Sequence, residues 1–555
     1  MKKKLFFVAV LLFATVSSFA VCKHENYIGD NDVAGWMWQY YGSWQPGSAP
    51  AGTENDNFFI GRVRPLKRFT NVNSQVLQDS KKDMRRQRKV LWWCPINEGG
   101  WTSLPRYAFD SEAFSSWSYI DIHGNWTQGL LRQPGAFADV CHKNGVATSV
   151  VSAAPWAEAQ TNYDGGHGQN YYTLTQGGAD KLMQLLKYYG IDGIGFNSEQ
   201  TWESFTAMKT LLFNCHSLRD KYDMDLLHFD FYNLSSSLSA SSSYCGSTSF
   251  DCFFPAANGF FLNYNWGNLS GSVSSANTLI NNAGGNFSEY VSSYDVYGGM
   301  DMQGRSSAGW SYIDQAAASV GIWGAHNKCM PYEGATEDGS TPIAIQKCYL
   351  RKCEQLFTGG TRNPVNNLAI SSKLCSGTPD FFGISKLVAA KSSLSWVAND
   401  YFPFISYFNL GNGQFFKNEG ETTYNDEWYN IGIQDFLPTW RWWITTEFMG
   451  RETSKVPSGF SAEFTYEDAW FGGSCLKIEN TDAANTSVYL QLFKTQFPIA
   501  TGYEFTIRYK VLSGSATLQW VGSKEGSEST AVTRPIGAVS AANASEWTER
   551  TIATS

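Results

Sequence analysis

Between about Lys89 and Ala325 the chain alternates between two textures. Stretches with apolar residues three and four apart, such as "FADVCHKNG", "ADKLMQLLKYYG" and "FTAMKTLLFNCHSLRDKY", read as helices, and Gly145 and Gly190 stand where the first two should stop. Between them come short apolar runs that read as buried strands: "KVLWWCPI", "WSYIDIH", "VATSVVSA", "IDGIGF", "LLHFDFY", "GFFLNYNW", "YDVYGGMDMQ" and "SVGIWGAH". They recur roughly every 25–45 residues, the rhythm of repeated βα units. Eight such strands predict an α/β fold built on a (β/α)8 TIM barrel rather than an open doubly wound sheet, for which a glycine-rich phosphate turn is expected.

After about Asn399 the period changes from helical to alternating. "FSAEFTYEDAWF", "CLKIEN", "SVYLQLF", "YEFTIRYKVL" and "ATLQWVG" are joined by Gly, Ser and Asn turns, which predicts a β-sandwich. The last residues, "SEWTERTIATS", read as the middle of a strand, so an incomplete C-terminus is expected. The expected division is residues 1–20 as a signal peptide, 21–398 as the barrel, and 399–555 as a β-sandwich region of carbohydrate-binding type. No Pro/Ser/Gly linker separates "WVANDYFPF" from the barrel, so the sandwich should pack on it rather than swing free.

The signal peptide is read from Lys2–Lys4, the apolar run Leu5–Val16 and the small-residue site Ser18-Phe19-Ala20. A lipid-anchored start at Cys22 fits less well, because Val21 is larger than such sites usually take. No later apolar run approaches the ~20 residues of a membrane span. An exported, soluble, monomeric protein is expected.

The formal charge of −8 argues against a nucleic-acid partner, and the one basic run, "KKDMRRQRK" at Lys81–Lys89, is expected to be a solvated helix end. Aromatics at 15% are abundant, and flat rings suit the apolar faces of sugars as well as they suit cores. Eleven cysteines in a chain of this length make no disulfide scaffold, although Cys348 and Cys353, or Cys245 and Cys252, are near enough in sequence to pair. Seven scattered His, with no HExxH and no CxxC, give no zinc site, and neither a metal nor a cofactor is expected.

The informative stretch is "YYGIDGIGFNSEQTW", Tyr188–Trp202. Residues two apart on a strand share a face, so Asn197 and Glu199 should point together from the C-terminal end of the fourth strand, where barrel enzymes keep their catalytic groups. Capping of the next helix by Asn197 or Ser198 is the alternative use. Glycosidases generally employ two carboxyls, and an amide can serve neither as nucleophile nor as base. In a glycosidase built on this pair, the substrate's own 2-acetamido oxygen must attack the anomeric carbon. Asn197 then orients the acetamide while Glu199 protonates the leaving oxygen and later activates water. The sugar before the cut must carry an N-acetyl group.

The stretch resembles the DGxDxDxE strand of chitinase-type retaining glycosidases. Asp192, Gly193 and Glu199 match, while Gly195 and Asn197 replace the two inner Asp. The Asn-x-Glu variant resembles that of glycoside hydrolase family 85. The resemblance extends in order through "WSYIDIHGNWTQ", "FADVCHKNGV", "FFLNYNW", "YDVYGGMDMQGR", "FNLGNGQFF" and "NIGIQDFLPTWRWW", roughly Trp92 to Trp443. It implies an endo-β-N-acetylglucosaminidase that cuts within the chitobiose core of N-glycans, with Glu199 and Asn197 catalytic.

The resemblance puts His123 at a pocket-facing place, Asp192 as an orienting group behind the site, and Trp266 of the NYxW motif, with Tyr264, against the substrate. Trp156 and Trp202 fall near strand ends and are further candidates for stacking on sugar. Asp301 and Arg305 read as a structural pair. Family members commonly carry a Tyr in a W-Y-D context after the fifth strand, near the reacting acetamide. Here "HFDF" puts Phe229 at that position, keeps Asp230, and leaves Tyr232 as the hydroxyl that can compensate. Two rival functions remain at this stage. A non-catalytic glycan-binding barrel would have no need of Glu199, and a chitinase-like enzyme would carry Asp in place of Asn197.

Overall fold

The computed structural model describes residues 44–46, 59–69, 82–96, 109–126, 133–153, 170–197, 205–232, 234–240, 254–284, 287–303, 310–326, 330, 341–359, 383–400, 404–440, 443–448, 456–498 and 502–554. Eight parallel strands close into a barrel in sequence order. They are β1 (Val90–Cys94), β2 (Ile122–Asn125), β3 (Ala147–Ala153), β4 (Gly193–Asn197), β5 (His228–Tyr232), β6 (Gly259–Leu262), β7 (Val296–Asp301) and β8 (Ser319–Trp323). Six of them fall inside segments read from the sequence, while β2 and β4 begin inside theirs and run past the ends, to Asn125 and Asn197. The helices around them include α1 (Gly135–Lys143), α2 (Asn170–Tyr189), α3 (Phe205–Ser217), α4 (Leu269–Ala283) and α5 (Pro342–Thr358). Gly145 and Gly190 follow α1 and α2 at φ of 66° and 71°, the left-handed stop that glycine alone takes without strain.

Side chains alternate between the barrel's interior and the helix layer. On β4, Ile194 and Phe196 face outward into the layer formed with α2 and α3, whose Leu186 and Leu212 are fully buried. Gly193, Gly195 and Asn197 face inward. The interior is filled by a few large rings: Trp93 lies over Phe261 at 5.3 Å between centroids and 14° between planes. Glycines make the room. A Cβ on Gly124 would stand 2.2 Å from Trp93, one on Gly195 3.0 Å from it, and ones on Gly299 and Gly321 each 2.5 Å from Phe261. Gly195, which replaces an inner Asp of the chitinase-type pattern, is therefore the seat of an indole.

The barrel's N-terminal end is sealed by buried charge. The helix Lys82–Gln87 confirms the basic run as helical, but Arg85 and Arg88 are buried, not solvated. Arg88 is 0% exposed and donates to the carbonyls of Leu387, Ile313, Asp314 and Ala316. A guanidinium presents a fixed fork of donors, so it can cap several loose carbonyls at once and be buried at tolerable cost.

Residues 404–554 form small antiparallel sheets, among them Phe460–Thr465 with Cys475–Asn480, Ser515–Lys524 with Ser527–Ser540, and Glu504–Tyr509 with Thr548–Ala553. The first of them pack on the barrel as expected. Gln434 accepts from Trp117 Nε1 at 2.6 Å and donates to the carbonyls of Phe114 and Leu410, and Asn412 donates to Gln346 of α5. The pairing considered for Cys348 and Cys353 is corrected: neither is in a disulfide, and on α5 positions five apart project in different directions. Cys245 and Cys252 lie outside the described residues. No helix among the described residues is long and apolar enough to cross a membrane.

Candidate active site

The C-terminal ends of the strands make an aromatic bowl whose floor is the Trp93–Phe261 stack. Trp126, just past β2, meets Trp323 at the end of β8 edge to face, 4.2 Å between centroids, and leans on Trp93 at 6.0 Å. Tyr232 at the end of β5 packs against Phe261 and Tyr264 at 5.8 and 6.1 Å. Asp301 ends β7 on the inward parity of Tyr297 and Gly299, and its Oδ1 accepts the N–H of Gln303 at 2.8 Å.

Asn197 closes β4 on the inward side, half-buried, in register with Ala153 of β3 and Tyr232 of β5. Among the described residues no hydrogen-bond partner claims its carboxamide, so an amide that both donates and accepts faces the bowl beside a phenol. Glu199, Trp156 and Trp202 lie outside the described residues.

The remaining expected residues distribute differently, and one principle accounts for most of it. Neighbouring residues on a strand face opposite sides, so an error of one position moves a side chain out of the barrel. His123 was expected to face the pocket. It points outward, packed edge to face on Phe137 of α1 at 4.7 Å, and burial pushes its pKa down to about 3, so it is neutral. Phe229 likewise faces outward and meets His216 of α3 at 5.7 Å. The inward residues of β5 are His228, Asp230 and Tyr232, so the phenol beside Asn197 is Tyr232.

Asp230 does face inward, one layer below the bowl, opposite Gly195. Its Oδ1 lies 2.6 Å from His228 Nδ1, and a Cβ on Gly259 would collide with it at 2.2 Å. Burial drives the His228 pKa down, but Asp230 and Asp295 more than offset this and raise it. Lys89 reaches Asp295 at 2.6 Å, which completes a charged chain in the lower barrel. Asp192 is further away still. It precedes β4, five residues before Asn197, or roughly 16 Å along an extended strand. There its Oδ2 meets His142 Nε2 of α1 at 2.8 Å and accepts the Thr148 N–H at 2.7 Å, which makes it a strut between helix and sheet rather than a group behind the site.

Trp266 is only 3% exposed, and its indole N–H donates to the Gly299 carbonyl at 3.0 Å. It buttresses β7 and offers no open face for stacking, whereas Tyr264 stays half-buried at the bowl. Sequence reasoning missed Trp126 and Trp323. Both sit on inward parity at strand ends, four residues after Ile122 and Ser319, and that count was the available signal. Among the described residues no group of three His, Cys, Asp or Glu is arranged to hold a metal.

A closed barrel with this bowl at its C-terminal face has its candidate site where barrel enzymes carry theirs. The family model described as glycosyl hydrolase family 85 matches residues 102–416, more than half of the chain, and the chain belongs to that family. A curated relative from Danio rerio, named cytosolic endo-beta-N-acetylglucosaminidase, is 24% identical over 405 residues. Those residues are 70% of this chain and 48% of the relative, so the chain spans about half the relative's length. The glycoside hydrolase domain of Endo-D from Streptococcus pneumoniae R6 superposes with a TM-score of 0.70 at 20% identity, over 93% of this chain and 76% of that one, and shares its fold.

Proposed function

We propose that this chain is an endo-β-N-acetylglucosaminidase that hydrolyses the GlcNAc-β1,4-GlcNAc bond in the chitobiose core of N-glycans through a substrate-assisted, retaining mechanism. The observation that carries this reading is Asn197, inward-facing at the rim of a family 85 barrel and in register with Tyr232. A carboxamide there can hold the acetamide of the bound sugar so that its oxygen attacks the anomeric carbon. The Tyr232 hydroxyl takes the part that the resemblance gave to a Tyr near the acetamide. The attack closes an oxazoline ring as the glycosidic bond breaks; Glu199, two residues beyond Asn197, donates the proton to the leaving oxygen and then activates the water that opens that ring. The half-buried rings of Trp323 and Tyr264 supply apolar surface for sugar faces, with the buried Trp126 packed behind Trp323. The name of the Danio rerio relative supports the same bond specificity.

Incubation with a high-mannose glycoprotein and, separately, with chitin oligomers, followed by mass analysis, tests this. The expected products are a glycan ending in one GlcNAc and a protein that keeps the other. Cleavage of chitin alone, or glycan binding without cleavage, would sink the proposal. Export is part of the same reading and is supported by Lys2–Lys4 and the apolar run Leu5–Val16, although the relative is named cytosolic. Fractionation of cells that make the full chain should find it outside the cytoplasm, shortened by about 20 residues; an intact cytoplasmic product would refute export.

A further inference from the structure

Asn263, the residue after β6, has every polar group of its amide engaged at one edge of the bowl. Its backbone N–H donates to Ser235 O at 2.7 Å and its side-chain Nδ2 to Leu234 O at 3.0 Å. Its Oδ1 accepts the Tyr264 N–H at 2.7 Å. A backbone carbonyl on one side and a backbone N–H on the other fix which atom is oxygen, so the amide cannot be flipped. That same Oδ1 faces the Tyr232 hydroxyl, which donates to it at 3.5 Å. This is the outer limit of a hydrogen bond, as often found in unliganded sites that tighten on binding.

The turn that Asn263 holds is strained. Leu234, two residues past Tyr232, has a φ of 66°, a left-handed conformation that is unfavourable for a non-glycine residue. It is also half exposed, at 49%, so little packing holds it there. Strain of this kind persists only where surrounding bonds over-determine it, and it gathers at functional sites. Here the bonds come from Asn263, which grips the carbonyls of Leu234 and Ser235.

We propose that Asn263 is a positioning residue for the reaction: by stapling the strained exit turn of β5 and meeting the Tyr232 hydroxyl, it fixes where that hydroxyl stands relative to Asn197. Asn263 touches no substrate; it acts through Tyr232. The proposal rests on the functional reading above.

The test is a double-variant cycle of Asn263→Ala and Tyr232→Phe on a high-mannose glycopeptide. Each single change should lower kcat by a similar factor with KM within about threefold. The double variant should be no slower than the worse single one, again within about threefold, because coupled residues are not additive. Losses that multiply would overturn the proposal. Should the alanine variant not fold, Asn263→Asp gives the same cycle, since it keeps the acceptor for Tyr264 and removes the donor to Leu234. A crystal structure of the folded Asn263 variant decides the matter independently of activity. Leu234 should leave the left-handed region and the Tyr232 hydroxyl should shift by about 1 Å or more, a displacement large enough to matter for catalysis. An unmoved Tyr232 would overturn the proposal even if the wild-type protein proved not to cut glycopeptides, a failure that would instead count against the functional reading.

Discussion

Trp93 and Phe261 lie nearly parallel, 14° between ring planes, at the centre of the barrel and directly beneath the bowl. The stack exists because Gly124 and Gly195 leave space for one ring and Gly299 and Gly321 for the other. Restoring the acid of the chitinase-type pattern with Gly195→Asp should therefore harm the protein. The new Cβ starts 3.0 Å from Trp93, and its carboxylate would be buried without a designed partner. Gly195→Ala should cost about 1–3 kcal/mol, typical of overpacking, and Gly195→Asp more. Thermal unfolding orders the three proteins, and an aspartate variant as stable as wild type would mean the stack yields easily.

Glu199→Gln should abolish hydrolysis while sparing glycan binding, because the amide is nearly isosteric and cannot donate the proton. General acid–base assistance typically contributes 10²–10⁴-fold. A rate within about tenfold of wild type would remove Glu199 from the mechanism.

For Asn197→Ala the expectation is a split. Cleavage of intact glycan should collapse, since oxazoline formation needs the oriented acetamide. Transfer from a preformed glycan oxazoline to a GlcNAc-bearing peptide should survive, because Glu199 still activates the incoming hydroxyl. Equal loss of both activities in a folded variant, checked by circular dichroism, would contradict substrate assistance.

Tyr232 and Phe229 make a paired control on one strand. Tyr232→Phe should lower kcat, as the hydroxyl beside Asn197 disappears. Phe229→Tyr should not improve activity, because residue 229 faces His216 in the helix layer. Its new hydroxyl would be buried there without a built partner, at about 1–3 kcal/mol. Steady-state kinetics and melting curves on both variants check the assignment, and a gain in kcat for Phe229→Tyr would refute the outward placement.

Stability should depend on pH through Lys494, in the segment that joins the sheets to the barrel. This side chain is 6% exposed, donates to Ala390 O at 3.2 Å and lies over the Phe69 ring at 5.0 Å. Burial first, and then the positive charges of Arg86, Lys391 and Arg68, push its pKa down from 10.5 to about 7. Between those values the unfolded chain binds more protons than the folded one, so stability contributed by this group rises with pH across the window and is flat below 7. Lys494→Met should raise Tm at pH 7 and narrow the Tm gap between pH 7 and pH 9. An identical gap in wild type and variant would show that Lys494 is not the titrating group.

The barrel was readable because its strands are short apolar runs punctuated by glycine, and each of the eight segments from "KVLWWCPI" to "SVGIWGAH" contributes to a strand, although in "WSYIDIH" Trp117–Tyr119 form a 3-10 turn and only Ile122 and His123 enter β2. The same property hid the facing of side chains. A parallel strand buried on both sides does not alternate between polar and apolar, so nothing in "HFDFY" says which parity is interior. That ambiguity sent His123 and Phe229 into the site and overlooked Trp126 and Trp323. Arg85 and Arg88 were misread for another reason: their partners are backbone carbonyls some 225 to 300 residues away, and sequence composition carries no trace of such partners. Asn197 was legible because it shares a face with Glu199 two residues on, in an Asn-x-Glu pattern at a strand's C-terminal end, so its side did not have to be read from burial.

The bonds around Gln434 bear on how this protein can be taken apart. Its side chain is wholly buried among Trp117, Phe114 and Leu410, while its backbone carbonyl accepts from Lys143 of α1 at 2.5 Å. Cutting the gene near Asn399 would strip the indole of Trp117 and the carbonyl of Phe114 of their partner and open that seam to water. The smallest portable folding module is thus barrel and first sheets together, and swaps of strand-end loops between relatives should carry both halves as one cassette.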